Sequence, residues 1–312
     1  MKKISIVTPC YNEAENVERL AKEIHAQMEK FPEYRYEHLF IDNCSSDGTD
    51  AILRKIAKAD KRVKVILNAR NFGHIRSPFH ALLQAQGDAV ILMVCDFQDP
   101  PELIPQLIQR WEGGAKAVVG IKDSSDESAL MFWLRKAYYG LVERLADVRT
   151  YQNFTGFGLY DKSVLDYCRN LKDPYPYFRG IIAEIGSPVE ELHYHQPVRR
   201  RGITKNNFFT LYDMAMLGIT NHSKIPLRIA TMTGFVMSFF SLLVGLGYLV
   251  YKLIYWDRFV AGAAPLVIGL FFFASVQLIF IGILGEYIGS IHTQVLKRPL
   301  VVERERINFE EN

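Results

Sequence analysis

Two long stretches of the 312-residue sequence lack charge altogether. No Asp, Glu, Lys or Arg occurs in 229–250 or in 261–285, although 23% of the whole chain is charged. Each stretch exceeds the roughly 20 residues that cross about 30 Å of hydrocarbon. Buried helices of soluble proteins seldom stay uncharged for that long. We therefore predict two transmembrane helices, at about 229–251 and 261–285.

The sequence is also poor in cysteine and has little net charge. Its four cysteines, Cys10, Cys44, Cys95 and Cys168, have neither metal-ligand spacing nor the density of a disulfide scaffold. This agrees with a reducing compartment. A net charge of +3 is too small to indicate a nucleic-acid partner. Zinc-ribbon, secreted disulfide-rich and nucleic-acid-binding classes are therefore set aside.

The first apolar stretch is too short for a signal peptide, because Ile4–Val7 is soon followed by the acidic Glu13. The amino-terminal domain is thus expected to stay on the side where it is made. Basic residues flank the predicted spans on that same side, which is typical of cytoplasmic segments; they are Arg199, Arg200, Arg201, Lys205, Lys224, Arg228, Lys297 and Arg298. We predict an integral protein of the inner (plasma) membrane with both termini in the cytoplasm.

Before the spans, short β-rich apolar runs alternate with amphipathic segments. This alternation predicts an α/β domain with a mainly parallel sheet, Rossmann-like, whose ligands bind at the carboxyl ends of the strands. The predicted strands are Ile4–Thr8, His38–Ile41, Val63–Leu67, Ala89–Val94 and Ala117–Gly120.

The chain is divided on this basis into four parts. They are a cytoplasmic catalytic domain (1–205), a juxtamembrane amphipathic segment (206–228), a two-helix transmembrane domain (229–290) and a cytoplasmic carboxyl-terminal tail (291–312). A further helical stretch at 128–148 is rich in aromatic residues. It fits a helix on the membrane surface and a helix packed on the sheet equally well.

A candidate metal site follows the fourth predicted strand. Asp96 and Gln98 are two residues apart, so their oxygens point the same way from an extended chain. Mg²⁺ or Mn²⁺ prefers one or two carboxylates with phosphate oxygens, so a nucleotide diphosphate would complete the shell. Asp99 can instead cap the helix that follows, and both interpretations can hold together.

Several motifs resemble those of family 2 inverting glycosyltransferases with the GT-A fold, in matching order and spacing. The motifs are 8–13 (TPCYNE), 41–49 (IDNCSSDGT), 70–73 (RNFG) and 96–102 (DFQDPPE). Later motifs resemble the polyprenyl-phosphate branch, which includes dolichol-phosphate-mannose synthase and bacterial undecaprenyl-phosphate glucosyltransferases. These are 154–160 (FTGFGLY), 178–180 (FRG), 199–205 (RRRGITK) and 282–289 (GILGEYIG).

The resemblance implies particular site residues. The implied catalytic set is Asp96, Asp99, Arg179, Arg199 and Lys205, with Asp96 and Gln98 holding Mg²⁺ or Mn²⁺. The implied substrate-binding set is Pro9, Tyr11, Asn12, Glu13, Asp42, Asn43, Asn71, Gly73, Thr155, Arg201 and Thr204. A guanidinium and an ammonium on either side of a glycine turn suit a diphosphate or a lipid phosphate. The 199–201 run also fits a membrane-proximal charged patch, and Arg179 is similarly ambiguous.

The sequence departs from the family pattern at several positions. Asn43 stands where a base- or ribose-contacting Asp is usual, with Cys44 in place of Gly, and Val94 replaces the first acid of the Asp-x-Asp pair. Gly158 replaces an Arg of many relatives, and Gly156 stands where glucosyltransferase relatives often have a carboxylate. A base at that position is dispensable for a phosphate acceptor, because a phosphate monoester is largely a dianion at neutral pH.

The resemblance thus implies transfer of a sugar from a UDP-sugar, or less favourably a GDP-sugar, onto undecaprenyl or another polyprenyl phosphate, with inversion. This reaction serves cell-envelope glycan or lipopolysaccharide modification, beside the lipid bilayer, and by resemblance in a homo-oligomer such as a tetramer. Two alternatives stay open: a membrane glycosyltransferase with a hydroxyl acceptor, which would need a general base, and a scaffold that binds nucleotide-sugar without catalysis. The sugar itself is not readable from a motif.

Overall fold

The structure is a computed structural model that describes residues 1–123, 151, 153–186, 188–197, 216, 220, 225–255 and 263–309. The predicted helix at 128–148 lies outside the described residues, as does 206–222 except for two positions. Arg199, Arg201, Thr204 and Lys205 lie outside them as well.

The described residues form one eight-stranded sheet with the order β7-β5-β6-β4-β1-β2-β3-β8. The strands are β1 (Lys3–Cys10), β2 (Arg35–Asp42), β3 (Val63–Asn68), β4 (Ala89–Leu92), β5 (Ala117–Lys122), β6 (Phe154–Asp161), β7 (Val189–Tyr194) and β8 (Glu303–Ile307). The pairs β4-β1, β1-β2 and β2-β3 at its centre are parallel, while β6 and β8 run antiparallel to their neighbours. The predicted α/β class with a mainly parallel sheet is confirmed.

Helices connect most of these strands and bury apolar residues at helical spacing. They are α1 (Val17–Met28), α2 (Thr49–Ala59), α3 (Gly73–Gln84), α4 (Ile104–Glu112), α5 (Lys162–Leu171) and α6 (Phe178–Glu184). In α1, Val17, Leu20, Ile24 and Met28 are buried, three or four residues apart, so they lie on one face.

The sheet is covered on both faces, as a parallel sheet requires. Along β3, Val65 and Leu67 belong to one core cluster while Ile66, between them, belongs to the other. This explains why the central strands are continuous apolar runs instead of alternating patterns. A further set of polar side chains follows the carboxyl ends of the strands, where the site forms.

Two long apolar helices follow the sheet domain: α7 (Ile225–Ile254) and α8 (Ala263–Leu296). Mean hydropathy reaches 1.9 within α7 and 1.8 within Gly269–Leu296 of α8, and neither apolar window is buried against the described chain. At 1.5 Å per residue, 30 residues extend about 45 Å, more than the hydrocarbon thickness. Both predicted apolar helices are confirmed, and both are longer than the predicted 229–251 and 261–285.

The segment after α8 returns to the sheet. β8 pairs antiparallel with β3, and Asn308 Nδ2 donates to the carbonyl oxygens of Ala57 at 2.6 Å and Val63 at 2.8 Å. An Arg54–Glu305 ion pair joins α2 to β8. The segment 291–312 was predicted to be a tail, without this strand.

Candidate active site

The polar motifs meet at one edge of the sheet, because β1, β2 and β4 are adjacent and parallel. Pro9, Tyr11, Asn12 and Glu13 lie at or just after the end of β1. Asp42 and Asn43 are at the end of β2, and Asp96, Gln98 and Asp99 follow β4. The expectation that these motifs gather at the carboxyl ends of the strands is therefore met for the described residues.

Hydrogen bonds join the loop after β1 to the loop after β2. Asp42 accepts from the backbone N of Ser45 at 3.1 Å and from the Ser45 hydroxyl. Ser45 Oγ in turn accepts from the Asn12 backbone N at 2.8 Å, and Asn12 Oδ1 accepts from Ser46 N at 2.9 Å. Burial raises the pKa of Asp42, against the lowering effect of the Ser45 hydrogen bonds. Asp42 thus fixes the loop after β2, which in turn holds the loop after β1.

Tyr11 and Glu13 differ in exposure. Tyr11 is 36% exposed, whereas Glu13 is 9% exposed and accepts from Asn16 Nδ2 at 2.6 Å. The Glu13 backbone N donates to Thr49 Oγ1 at 3.0 Å, at the start of α2. An exposed ring therefore stands beside a carboxylate whose position is fixed.

The Asn43 side chain supports a neighbouring loop. Its Oδ1 accepts from Asn68 Nδ2 at 3.1 Å and from Phe72 N at 2.9 Å. Its Nδ2 donates to Asn71 Oδ1 at 2.9 Å and to the Gly73 carbonyl at 3.2 Å. These four bonds match the hydrogen-bonding capacity of an amide side chain. Asn43 thus supports the 71–73 turn, in which Asn71 Oδ1 also accepts from Gly73 N.

The segment after β4 forms a tight turn. Phe97 has φ 62°, and the Gln98 backbone N donates to Asp96 Oδ1 at 3.1 Å. Asp99 does not cap the following helix, since Pro100 occupies the cap position without a side-chain bond. Asp99 instead accepts from Val94 N at 3.1 Å and from the Tyr194 hydroxyl at 3.0 Å. Burial raises the pKa of Asp99 to about 7 despite these two bonds.

Asp96 and Gln98 fit a divalent cation that shares its shell with phosphate oxygens. They stand on one turn, where Asp96 Oδ1 accepts from Gln98 N, and carboxylate and amide oxygens are ligands that Mg²⁺ and Mn²⁺ accept. No group of three His, Cys, Asp or Glu side chains able to hold a metal occurs among the described residues. A nucleotide diphosphate would therefore have to supply the remaining ligands.

A cavity of about 220 Å³ opens beside this turn. Five implied site residues line it: Pro9, Gln98, Asp99, Thr155 and Arg179. Four polar lining residues were missed by the sequence analysis: His74, Lys122, Tyr177 and Gln196. Lys122 is the last residue of β5. Its position just after a predicted strand was the signal that could have identified it as a site residue. The other three come from a helix start and two loops, which carry no such signal.

The cavity walls are basic and apolar. Arg179 Nη1 donates to the Phe154 carbonyl at 3.1 Å, which fixes the guanidinium at the wall. Burial lowers the pKa of His74, as does the neighbouring Arg179 charge. Phe79, Leu82 and Leu92 line the same space. An anion with an apolar attachment is the ligand that matches this combination.

The loop that leads into the cavity wall contacts the end of the second apolar helix. Gln294 Nε2, in α8, donates to Asp173 Oδ1 at 2.8 Å. The same oxygen accepts from Tyr175 N at 2.8 Å, and the next two residues, Pro176 and Tyr177, line the cavity. The candidate site therefore lies next to the end of α8.

Two glycines in β6 shape the cavity side of the sheet. A Cβ at Gly158 would lie 2.2 Å from the Val118 carbonyl oxygen, so this backbone excludes the arginine side chain of many relatives. Gly156 has φ 105°, and a Cβ there would lie 3.7 Å from Leu92 Cδ2, an ordinary contact. The backbone at position 158 therefore does not accommodate the Arg that many relatives carry there.

Comparison with known proteins gives consistent matches. A model of glycosyl transferase family 2 matches residues 5–169. The chain is 34% identical over 298 residues to the bactoprenol glucosyl transferase of Shigella phage SfII, covering 95% of this chain and 96% of the relative. It is 32% identical to the prophage bactoprenol glucosyl transferase homolog of Escherichia coli K12, covering 95% and 97%.

A solved structure of Mycobacterium tuberculosis glucosyl-3-phosphoglycerate synthase, in complex with Mn²⁺, UDP and glucosyl-3-phosphoglycerate, is also similar. It shares 16% identity and a TM-score of 0.46, covering 70% of this chain and 78% of that one.

Proposed function

The chain belongs to glycosyl transferase family 2, and from this premise we propose that it transfers a sugar from a nucleotide-sugar onto a polyprenyl phosphate. The bactoprenol glucosyl transferases named above support this acceptor. The observation that carries the proposal is the bond between Gln294 of α8 and Asp173, which begins the loop whose later residues Pro176 and Tyr177 line the basic cavity. A lipid acceptor reaches such a site without leaving the bilayer.

The nucleotide part of the donor binds, in this proposal, over the carboxyl ends of β1 and β2. Tyr11 supplies an exposed aromatic face, and Asp42 and Glu13 supply acceptors for ribose or base hydroxyl and amino groups. A UDP-sugar is favoured over a GDP-sugar. Asn43 acts on this site indirectly, through the loop that it supports.

The chemistry needs charge neutralisation more than proton transfer. An oxygen of the acceptor phosphate attacks the anomeric carbon while the bond from that carbon to the diphosphate breaks, so the nucleoside diphosphate leaves with the electron pair. The attacking phosphate is already ionised near pH 7 and has no proton to give up. Opposite-face attack inverts the anomeric carbon.

Basic cavity residues bring the two anions together. Lys122 and Arg179 line the cavity, and Arg199 and Lys205 are proposed to add a further clamp on phosphate. Asp96 and Gln98 would hold Mg²⁺ or Mn²⁺, which supplies positive charge to the departing diphosphate. Asp99 holds the turn that carries Gln98, through Val94 N and the Tyr194 hydroxyl.

The membrane arrangement follows from the same proposal. With α7 and α8 in the bilayer, the sheet domain and both chain ends lie on the cytoplasmic side, where the flanking basic residues favour it. Residues 1–205 form the catalytic domain and 206–228 the juxtamembrane segment. β8 adds part of the 291–312 segment to the catalytic sheet.

The test is nucleotide release by the full chain in lipid vesicles, with UDP-glucose as donor. Undecaprenyl phosphate should stimulate release of UDP, and undecaprenol, which differs only in lacking phosphate, should not. Lys122→Gln should lower the stimulated rate by about 10²–10³, as for loss of one charge-stabilising donor. Equal release with the two lipids would contradict the proposal and favour a hydroxyl acceptor.

A further inference from the structure

Three arginines meet where the sheet domain joins the end of α8. Arg70 belongs to the loop before α3, Arg76 to α3 itself, and Arg298 lies two residues beyond the end of α8. The guanidinium groups of Arg70 and Arg76 lie 4.1 and 5.4 Å from the Phe72 ring centroid. Arg298 is close enough to lower the pKa of Arg76, as Arg70 also does, after the larger effect of burial. We call these three residues the arginine cluster.

Carboxylates do not neutralise the arginine cluster among the residues that the structure describes. Arg70 donates to the Asn71 carbonyl at 3.1 Å, and Arg76 donates to the Pro299 carbonyl. None of the three arginines takes part in the ion pairs of the described chain. Holding three like charges together costs free energy unless an anion joins them.

Arg76 carries a second indication of a missing ligand. Its Nε atom is buried and has no hydrogen-bond partner within the described chain. A buried donor without an acceptor is unfavourable, because it has lost its hydrogen bonds to water. Guanidinium groups bind phosphate through paired N–H donors, so a phosphate oxygen at Nε would remove this cost.

The location identifies the source of the phosphate. Arg298 lies two residues beyond the end of α8, at the end of this apolar helix that contacts the sheet domain, and basic residues that flank a membrane helix attract anionic headgroups. None of the three arginines lines the active-site cavity, so a phosphate held there is outside the place of reaction. We propose that the arginine cluster binds the phosphodiester headgroup of an anionic phospholipid.

This binding goes beyond the proposed sugar transfer and does not depend on it. A headgroup held by residues of both the sheet domain and the α8 end ties the two together at the membrane surface. Since α3 also contributes His74 to the cavity, the bound lipid fixes the helix on which part of the cavity wall stands.

The test is native mass spectrometry of the full chain released from detergent micelles containing phosphatidylglycerol. Arg298→Gln is the main variant, because Arg298 is exposed and its loss leaves the core intact. Arg76→Gln is the second. Each should weaken phosphatidylglycerol binding about fivefold, the effect of one basic residue near an anionic lipid surface. Arg35→Gln is the matched control, because it removes the same charge at the amino end of β2, away from the arginine cluster. It should leave binding unchanged.

Three outcomes would overturn the proposal. They are unchanged phosphatidylglycerol binding in Arg298→Gln and Arg76→Gln, an equal loss in Arg35→Gln, and equal retention of zwitterionic phosphatidylcholine by the wild-type chain. Full displacement of the lipid by an equal concentration of inorganic phosphate would also overturn it, because the site would then recognise free phosphate.

Discussion

Asp99 is a carboxyl group whose environment favours its protonated form. Its side chain is 2% exposed, and burial raises its pKa to about 7 from an ordinary value of 3.8. Between these two values the folded chain binds more protons at this site than the unfolded chain. The free energy of unfolding therefore falls as the pH rises from about 4 to about 7.

Asp99→Asn should remove this part of the pH dependence. An Asn side chain can accept from Val94 N and donate to the Tyr194 hydroxyl, which accepts as well as donates. The measurement is the unfolding temperature of the full chain in detergent from about pH 4 to pH 8. The wild-type chain should lose stability relative to the variant as the pH rises. Parallel curves would show that Asp99 keeps an ordinary pKa.

Val94 stands at the candidate metal site in place of an acid. Its side chain lines the cavity beside Gln98 and Asp99, where relatives have the first acid of the Asp-x-Asp pair. Val94→Asp should strengthen Mn²⁺ binding in the presence of UDP about tenfold, because a second carboxylate joins the shell. Calorimetry with Mn²⁺ and UDP measures this. Val94→Asn is the uncharged control, and an equal gain in that variant would count against a carboxylate ligand.

At single positions, sequence reasoning found the site but not every role. The acids and amides that follow the strands were predicted to gather at the carboxyl ends of the sheet, because the alternating pattern of strands and helices predicts parallel strands. The four hydrogen bonds of Asn43 to residues 68–73 were not predicted, because local sequence does not place those residues beside it. The clash at Gly158 arises from the neighbouring β5 backbone and is equally invisible in sequence.

Among the elements, β8 joins the end of the chain to the catalytic sheet. Glu303 lies 2.5 Å from His80 and also pairs with Arg306, and it is 18% exposed. Burial alone would raise the pKa of Glu303, but the bonds from His80 and Arg306 outweigh it and lower the pKa to about 2. The stabilising contribution of this carboxylate is present above its ordinary pKa and is lost as the pH falls toward 2.

Glu303→Gln should loosen β8 by about 1–2 kcal/mol, a 5- to 30-fold change in the local opening equilibrium. Hydrogen exchange of the β8 backbone amides measures this opening directly. Arg304→Gln is the matched control in the same strand, because its pair with Asp50 is long, at 3.4 Å, and exposed. Equal acceleration in both variants would mean that the His80 pair does not hold the strand.

The first five strands and the two apolar helices were predictable because their hydrophobic patterns are strong. β8 was not, because its sequence, Glu303–Ile307, is four charged residues and one isoleucine. Charged residues are common on edge strands, where they discourage pairing with other chains. Only the position of β3 beside it makes this segment a strand.

On the scale of the whole molecule, a cleft at the carboxyl ends of parallel strands lies close to the end of an apolar helix. The Gln294–Asp173 bond brings α8 to the loop whose next residues line the cavity. The sequence predicted both the cleft and the spans, yet their contact depends on the fold of the 173–177 loop. That contact supports an acceptor held beside the end of α8.

The most direct test of the central claim is the identity of the lipid product. The full chain in vesicles is incubated with UDP-glucose and equal amounts of undecaprenyl phosphate and undecaprenol, and the extracted lipids are analysed by mass spectrometry. The account predicts one new species, undecaprenyl phosphate carrying a single hexose on its phosphate. Hexose attached to undecaprenol, with undecaprenyl phosphate left unchanged, would contradict it.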